Sequence, residues 1–269
     1  MLYSLAEFAP IILPLLRLAS ARHLVEIGAE AGSMTRALIA HTAACAGGLT
    51  TIEAMPTAEL EALLAEAPHA RLMIGGSLGV LPKLEAADAY LIDGDHNYYT
   101  VRNELALIEQ TTRAAGRPLL VLLHDVGWPF GRRDGYYDPE SIPAGFCHPH
   151  DWIKGAMPDR PDLAPGGFRG MGGFAMATTE GSAQNGVLTA IEDFLGAHGS
   201  AFRFANVPLI FGLGVLYAAD APWAPAASAL LTPYADNALL AAVERERMKF
   251  AAELMDLHYR LNDRRVPSG

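Results

Sequence analysis

Leu24-Val25-Glu26-Ile27-Gly28-Ala29-Glu30-Ala31-Gly32-Ser33 reads as an apolar strand, a glycine-bearing turn and the start of a helix. Gly28 and Gly32 let the backbone turn sharply and approach a ligand closely, and the helix start behind them offers free N–H groups. A purely structural strand-to-helix turn uses glycine for the same reason, so the turn alone leaves both readings open.

Outward from this turn, short apolar runs alternate with helix-like stretches, the pattern of βαβ units around a parallel sheet. Strands are expected at His23–Ile27, Leu49–Glu53, Arg71–Ile74, Tyr90–Ile92 and Leu119–Leu123, with helices at Ser33–Thr42, Thr57–Ala67 and Thr100–Thr112. A helix near Gly186–Ala197 precedes two further strands, Ala201–Val207 and Gly214–Tyr217, joined as a hairpin. The fold class expected is α/β: a Rossmann-like, doubly wound, mostly parallel seven-stranded sheet with a C-terminal antiparallel hairpin. The 269 residues, 51% of them hydrophobic, suffice for one domain, 1–269, with an N-terminal helical segment over 1–22.

Between residues 127 and 186 the periodicity vanishes and Gly, Pro and aromatic residues crowd in, among them Trp128, Phe130, Tyr136, Tyr137, Phe168 and Phe174. Such a long irregular stretch is a functional lid or a disordered segment, and its aromatic content favours an ordered, substrate-covering insert. A C-terminal helix is expected over 235–263. Its Leu240, Val243, Phe250, Leu254, Leu257 and Leu261 follow three- and four-residue steps, with Arg247 at the one polar seam position. That narrow stripe either docks on its own domain or meets a second copy as a homo-oligomer.

The formal net charge of −10 argues against a nucleic-acid partner, because phosphate neutralisation needs a basic face. A small-molecule substrate fits better. No run approaches the length of a membrane span, and two cysteines, Cys45 and Cys147, are too few for a disulfide framework. A cytoplasmic protein is expected.

The strand Ala89-Tyr90-Leu91-Ile92 ends in Asp93-Gly94-Asp95-His96, and Leu119–Leu123 ends in His124-Asp125. In an open α/β sheet the carboxyl ends of the strands form the ligand crevice, so both clusters should face one pocket. Such a pocket can hold a divalent cation and a base. Asp93 and Asp95 can equally cap the next helix, and His148-Pro149-His150-Asp151 has a metal-like composition that Pro149 and its loop setting weaken. Glu53 ends its strand about 20 residues past the glycine turn, where a carboxylate can accept hydrogen bonds from ribose hydroxyls.

The succession Val25-Glu26-Ile27-Gly28 to Gly32-Ser33, then Glu53, then Gly76-Ser77 to Leu81-Pro82-Lys83-Leu84, then Ile92-Asp93-Gly94-Asp95-His96, resembles class I S-adenosylmethionine-dependent methyltransferases. Within them it is most similar to the cation-dependent O-methyltransferases, of the catechol, caffeoyl-coenzyme A and macrolide-sugar types. The resemblance spans roughly residues 24–125. It implies that Glu26, Gly28, Ala29, Gly32 and Ser33 lie near the methionine moiety of the cofactor, that Glu53 and Ala54 meet the ribose, and that Gly76 and Ser77 lie beside adenine. It further implies that Asp93, shared with the cofactor side, holds a divalent cation together with His124 and Asp125, Mg²⁺ being the first choice. His124 departs from the family, which places an acid there. The family's base falls on His96, whose ordinary imidazole pKa suits proton removal near neutral pH.

The function expected is O-methylation of a small hydroxylated metabolite, a sugar or phenolic natural product. In the insert, Trp128, Tyr136 and Tyr137 can pack against a ring, and Arg132 and Arg133 can pair with an acidic group on the acceptor. A nicotinamide-dependent oxidoreductase and a non-catalytic ligand-binding protein are the alternatives. The Gly28–Gly32 spacing lacks the full dinucleotide fingerprint, which counts against the first.

Overall fold

The computed structural model describes residues 4–263. A turn of 3₁₀ helix at Leu5–Phe8 leads into α1 (Ala9–Leu18). Then follow β1 (His23–Ile27), α2 (Ser33–Ala44), β2 (Gly48–Glu53), α3 (Ala58–Ala65), β3 (Ala70–Ile74), α4 (Ser77–Val80), β4 (Ala89–Ile92), α5 (Tyr98–Ala114) and β5 (Leu120–Leu123). The insert contributes β6 (Gly135–Tyr136), β7 (His150–Asp151) and β8 (Ala175–Ala177). The chain ends with α6 (Val187–His198), β9 (Phe202–Val207), β10 (Leu213–Ala218), α7 (Ala224–Leu231) and α8 (Ala238–Asp263).

The main sheet has seven strands in the order β3-β2-β1-β4-β5-β10-β9. β1 to β5 run parallel, and β10 lies antiparallel to both β5 and β9. The order reverses between β1 and β4, which opens a crevice at the carboxyl ends of those strands. β4 and β5 are buried at every position, as expected of central strands covered on both faces. One core layer joins Val25, Ile27, Tyr90, Ile92, Val121 and Leu123 to α5 and α6, and the other joins Leu24, Leu49, Leu91, Leu120 and Leu122 to α1, α2 and α7.

Helix starts follow local chemistry. Thr57 caps α3 by accepting from the Leu60 N–H at 3.2 Å. Asn97, rather than Asp93 or Asp95, caps α5 by accepting from the Thr100 N–H at 2.8 Å, while Asp95 accepts from the Thr100 hydroxyl at 2.7 Å. Sequence periodicity missed α7, where Pro225 at the helix start and an Ala-rich run were the available signals.

The insert is ordered around a three-stranded antiparallel sheet, β6-β8-β7, whose two- and three-residue strands are too short to show a period. Asp134, fully buried, ties it to the body of the protein. Its Oδ1 accepts from Tyr98 N–H at 2.7 Å and Gly186 N–H at 2.6 Å, and its Oδ2 accepts from the Tyr136 hydroxyl at 2.9 Å.

α8 docks on the domain, but not by the stripe picked out from sequence. Met248 and Ala252 are buried, with Ala251 and Met255 packed beside them, whereas Val243, Phe250, Leu254, Leu257 and Leu261 face outward. Only Leu240 of the stripe reaches the core. The docking face uses small and flexible side chains that fit closely against the insert, and a hydrophobicity pattern does not mark them. Among the described residues no helix is long and apolar enough to cross a membrane.

Glu104 of α5 is fully buried, and neither carboxyl oxygen has a hydrogen-bond partner among the described residues. Burial pushes its pKa from 4.5 to about 8. A carboxyl whose folded pKa is raised contributes fully below its unfolded pKa and loses that contribution as pH climbs through the folded value. Stability should therefore fall between pH 4.5 and about 8. Glu104→Met should flatten this fall and raise Tm at pH 8 by about 5 °C, read by thermal denaturation across pH. An unchanged pH profile in the variant would assign the fall to other groups.

Candidate active site

The glycine turn is shaped by what lies against it. Gly28 has φ +78°, and a Cβ there would collide with the Asp93 carbonyl and the Gly94 backbone at the end of β4. Gly32, φ +81°, is the N-cap of α2, and Glu30 also takes a left-handed conformation. Glu53 at the end of β2 folds toward this turn: its Oε2 accepts from Ala29 N–H at 2.9 Å and Glu30 N–H at 3.2 Å, and its Oε1 accepts from Met55 N–H at 3.2 Å.

Around Glu53 the surface is open. Ala54 and Ser33 are exposed, a Cβ on Gly76 would meet nothing within 4 Å, and Met55 and Ile74 expose 85% and 65% of their surface at the ends of β2 and β3. Two exposed apolar side chains beside a carboxylate and free helix-start N–H groups make a cradle that fits an adenosine. Sequence reasoning missed Met55 and Ile74; for Met55 the signal was a large apolar residue two positions past the strand-end acid Glu53. Ser77 is buried in the first turn of α4 with Glu104 beside it.

Glu26 lies under the turn rather than in the opening. Its Oε2 accepts from the hydroxyls of Thr35 at 2.8 Å and Thr51 at 3.1 Å, and burial pushes its pKa to about 8. It braces β1 against α2 and β2.

At the ends of β4 and β5 the structure brings Asp93, His96, His124 and Asp125 together. His124 Nδ1 is 3.0 Å from Asp93 Oδ1 and 3.1 Å from Asp125 Oδ2, and His96 Nε2 is 3.1 Å from the same Asp125 oxygen. Asp93, His124 and Asp125 each offer one donor atom within 4.8 Å of the others. The Nε2–H of His124 donates to the Ile210 carbonyl at 3.0 Å, which leaves Nδ1 aimed at the two carboxylates. A lone pair there would face two anions, so the arrangement demands a proton or a cation at Nδ1. With a carbonyl fixing the other ring nitrogen, the donor set fits a divalent cation.

Burial works against a charged ring at His124 and at His96, but the carboxylates outweigh it. Asp93 and Asp125 hold His124 well above the ordinary imidazole value, and Asp125, then Asp93 and Asp95, raise His96 above 6.5. Burial alone would raise Asp125; His96 and His124 hold it far below the carboxylate range. Asp125 itself sits at φ +59°, a conformation Asp tolerates better than most residues.

Two segments close around this cluster. The N-terminal turn supplies the Leu5 N–H to Asp93 Oδ2 at 3.1 Å and the edge of Phe8 to the His124 ring, contacts that no motif announced. From the insert, Phe130 stacks on His96 with ring centres 4.6 Å apart, Tyr137 tilts against it at 5.5 Å, and Gly135 N–H donates to the His96 carbonyl at 2.8 Å.

The other insert residues picked out for substrate are committed elsewhere. Tyr136 is buried on Asp134, and Trp128 packs on Phe168. Arg132 forms a two-pronged pair with Glu192 of α6, at 2.5 and 2.6 Å. Arg133 is wholly buried, donating to the carbonyls of Ala177 and Pro161. Neither arginine faces His96: adjacent basic residues look alike in sequence whether they hold a fold together or a ligand. In His148-Pro149-His150-Asp151, Asp151 Oδ1 is taken by the N–H groups of Ile153 and Lys154, each at 2.8 Å, and the stretch forms no metal-like group among the described residues.

Residues 25–126 match the model of a family described as a methyltransferase domain. No curated protein matches the chain significantly. Solved structures show some similarity to it. They include the S-adenosylhomocysteine-bound methyltransferase PaMTH1 of Podospora anserina, with 15% identity over 76% of this chain and 75% of that one, TM-score 0.48. The O-methyltransferase TomG of Streptomyces achromogenes, in complex with S-adenosylmethionine, has 17% identity over 79% of each chain, TM-score 0.47. A candidate caffeoyl-CoA O-methyltransferase from Staphylococcus aureus has 15% identity over 80% of this chain and 90% of that one, TM-score 0.46. The matched segment runs from the glycine turn to the Asp125 cluster, so both parts of the site lie within the stretch that is similar to a methyltransferase domain.

The contact between the glycine turn and the β4 end gives a direct test. Gly28→Ala must both adopt a left-handed backbone and push Asp93 and Gly94 away, and should destabilise the protein by about 2 kcal/mol or more in denaturant unfolding. Unchanged stability would show that the two strand ends are not in this contact.

Proposed function

We propose that the chain is an O-methyltransferase, assisted by a divalent cation, that methylates a hydroxyl of a small sugar or phenolic metabolite. The observation that carries this reading is the position of His96 beside the Asp93–His124–Asp125 cluster, at the same sheet edge as the adenosine cradle. A base and a cation site next to a methyl donor are what transfer to an unactivated oxygen requires.

Gly28, Ala29, Gly32, Ser33, Glu53, Ala54, Gly76 and Ser77 would hold S-adenosylmethionine, which supplies an electrophilic methyl group whose C–S bond breaks as the new C–O bond forms. A divalent cation held by Asp93, His124 and Asp125 would lower the pKa of the acceptor hydroxyl; the carboxylate pair favours Mg²⁺, and the imidazole pulls preference toward first-row transition metals. His96 would keep its Nε2–H on Asp125 and take the hydroxyl proton at Nδ1, with Asp125 stabilising the resulting imidazolium. Phe130 fixes the plane of the His96 ring from behind, while half-exposed Tyr137 offers its face to an acceptor ring or sugar. The insert and the N-terminal turn serve as covers that keep water from the reacting oxygen. In this reading the chain is one methyltransferase domain working in the cytoplasm, where its two unpaired cysteines stay reduced.

Calorimetry with S-adenosylmethionine tests the first step: no binding at several hundred micromolar would sink methyl transfer. Because the carboxylates hold the His96 proton above 6.5, and the base must be neutral, kcat should rise with pH through an inflection above 6.5. His96→Gln should abolish that inflection and lower kcat by roughly a hundredfold or more. Full activity after chelation, or in Asp93→Ala, would remove cation assistance and leave methyl transfer standing.

The outward stripe of α8 supports a homo-oligomer. Val243, Phe250, Leu254, Leu257 and Leu261 have the spacing of a coiled-coil seam and expose half or more of their apolar surface, while Arg247 turns inward. Sedimentation should give a dimer at micromolar concentration, and Leu254→Asp a monomer that still binds S-adenosylmethionine; a monomeric parent protein would refute the assignment.

A further inference from the structure

The turn between β9 and β10 runs through three consecutive left-handed residues, Ile210 at φ +49°, Phe211 at φ +63° and Gly212 at φ +91°. Glycine is at ease there, but a β-branched isoleucine is not: it holds such a conformation only where its surroundings over-determine it. The strained carbonyl, Ile210 O, is the one that accepts the Nε2–H of His124. A relaxed turn would swing that carbonyl away.

Besides the Gly212 N–H bond to the Leu209 carbonyl at 2.9 Å within the turn, contacts from outside hold it. Behind it, the Gly127 N–H donates to the Phe211 carbonyl at 2.6 Å. In front, the Phe211 N–H donates to Glu244 Oε1 of α8 at 2.9 Å. Glu244 is itself gripped by Arg247, whose Nε and Nη2 donate to Oε2 and Oε1, each at 2.6 Å, while the guanidinium lies 4.9 Å from the centre of the Phe211 ring. The Phe211 ring in turn sets its edge against His124, at 6.2 Å between centres. The path from α8 to the cluster is thus continuous: Arg247, Glu244, the 210–211 backbone, His124, then Asp93 and Asp125.

We propose that Glu244 is a positioning residue for the cluster, holding the left-handed turn so that the Ile210 carbonyl fixes the His124 ring with Nδ1 toward Asp93 and Asp125. Glu244 is about 120 residues from His124 in sequence and touches no reacting group. The inference rests on the reading of His124 as part of the cation-holding cluster. It gives α8 a role within its own protomer, separate from the outward stripe. Partners that fix the second nitrogen of a ligating imidazole typically change metal affinity tenfold to a hundredfold when removed.

The experiment compares Glu244→Ala and Glu244→Gln with the parent protein by two readouts. One is the one-bond ¹H–¹⁵N correlation of the His124 Nε2–H in the ligand-free protein, assigned by its loss in His124→Gln. The other is calorimetric affinity for manganese(II) alone, with S-adenosylmethionine affinity as the control. The parent should show a slowly exchanging Nε2–H. Glu244→Ala should lose it and bind manganese(II) at least tenfold more weakly, with S-adenosylmethionine affinity kept within threefold. Glu244→Gln, which keeps an oxygen for the Phe211 N–H, should retain the ring signal. The inference fails if Glu244→Ala keeps the signal, if Gln behaves as Ala does, or if the parent shows no protected Nε2–H. A parent protein that binds no manganese(II) would end the cation reading, and the ring-proton comparison would still decide the role of Glu244. If Glu244→Ala fails to fold, Glu244→Asp, which draws the carboxylate back by one methylene, gives the same comparison.

Discussion

One carboxylate, Asp125, stands 3.1 Å from two imidazoles, and the site is organised around that sharing. A buried anion must be compensated, and here the compensation comes from His96 on one side and His124 on the other. Because the ring of His124 also faces Asp93, the ends of β4 and β5 are bound into one electrostatic unit. The Leu5 N–H, the Ile210 carbonyl and Phe130 each complete a bond or a face that this unit leaves open. The N-terminal turn, the β9–β10 turn and the insert, three segments distant in sequence, are therefore placed by the same few atoms.

The glycine-turn side of the site has a different logic. It depends on the approach of Gly28 to the Asp93–Gly94 backbone, which joins the glycine turn to the chemical cluster with no side chain between them. Glu53 sets the opposite wall of the opening and Met55 and Ile74 its apolar floor. The opening beside the glycine turn and the strand-end cluster thus meet at Asp93, whose backbone borders one and whose carboxylate belongs to the other.

His124 departs from the acid that the sequence resemblance implies at its position. An imidazole can join such a cluster only if its second nitrogen is satisfied, since a buried unpaired N–H carries a full desolvation cost. The strained carbonyl of Ile210 meets that need, and the brace from Glu244 and Arg247 accompanies it. A histidine here and a long C-terminal helix are two parts of one arrangement.

The sequence by itself determined the parallel sheet, the glycine turn, the strand-end acids and the two histidines, because strand burial, turn conformation and strand-end position are properties of neighbouring residues. Expected and observed bounds of β1 agree at both ends, and those of β2 to β5 within one residue. Tertiary structure alone decided the rest. Whether Arg133 holds the insert together or faces a ligand depends on carbonyls of Ala177 and Pro161, 44 and 28 residues away. Whether α8 docks through its apolar stripe or through Met248 and Ala252 depends on the shape it meets, as does the link from Glu244 to His124. Such contacts join residues whose separation carries no period, so they become legible only when the chain has closed on itself.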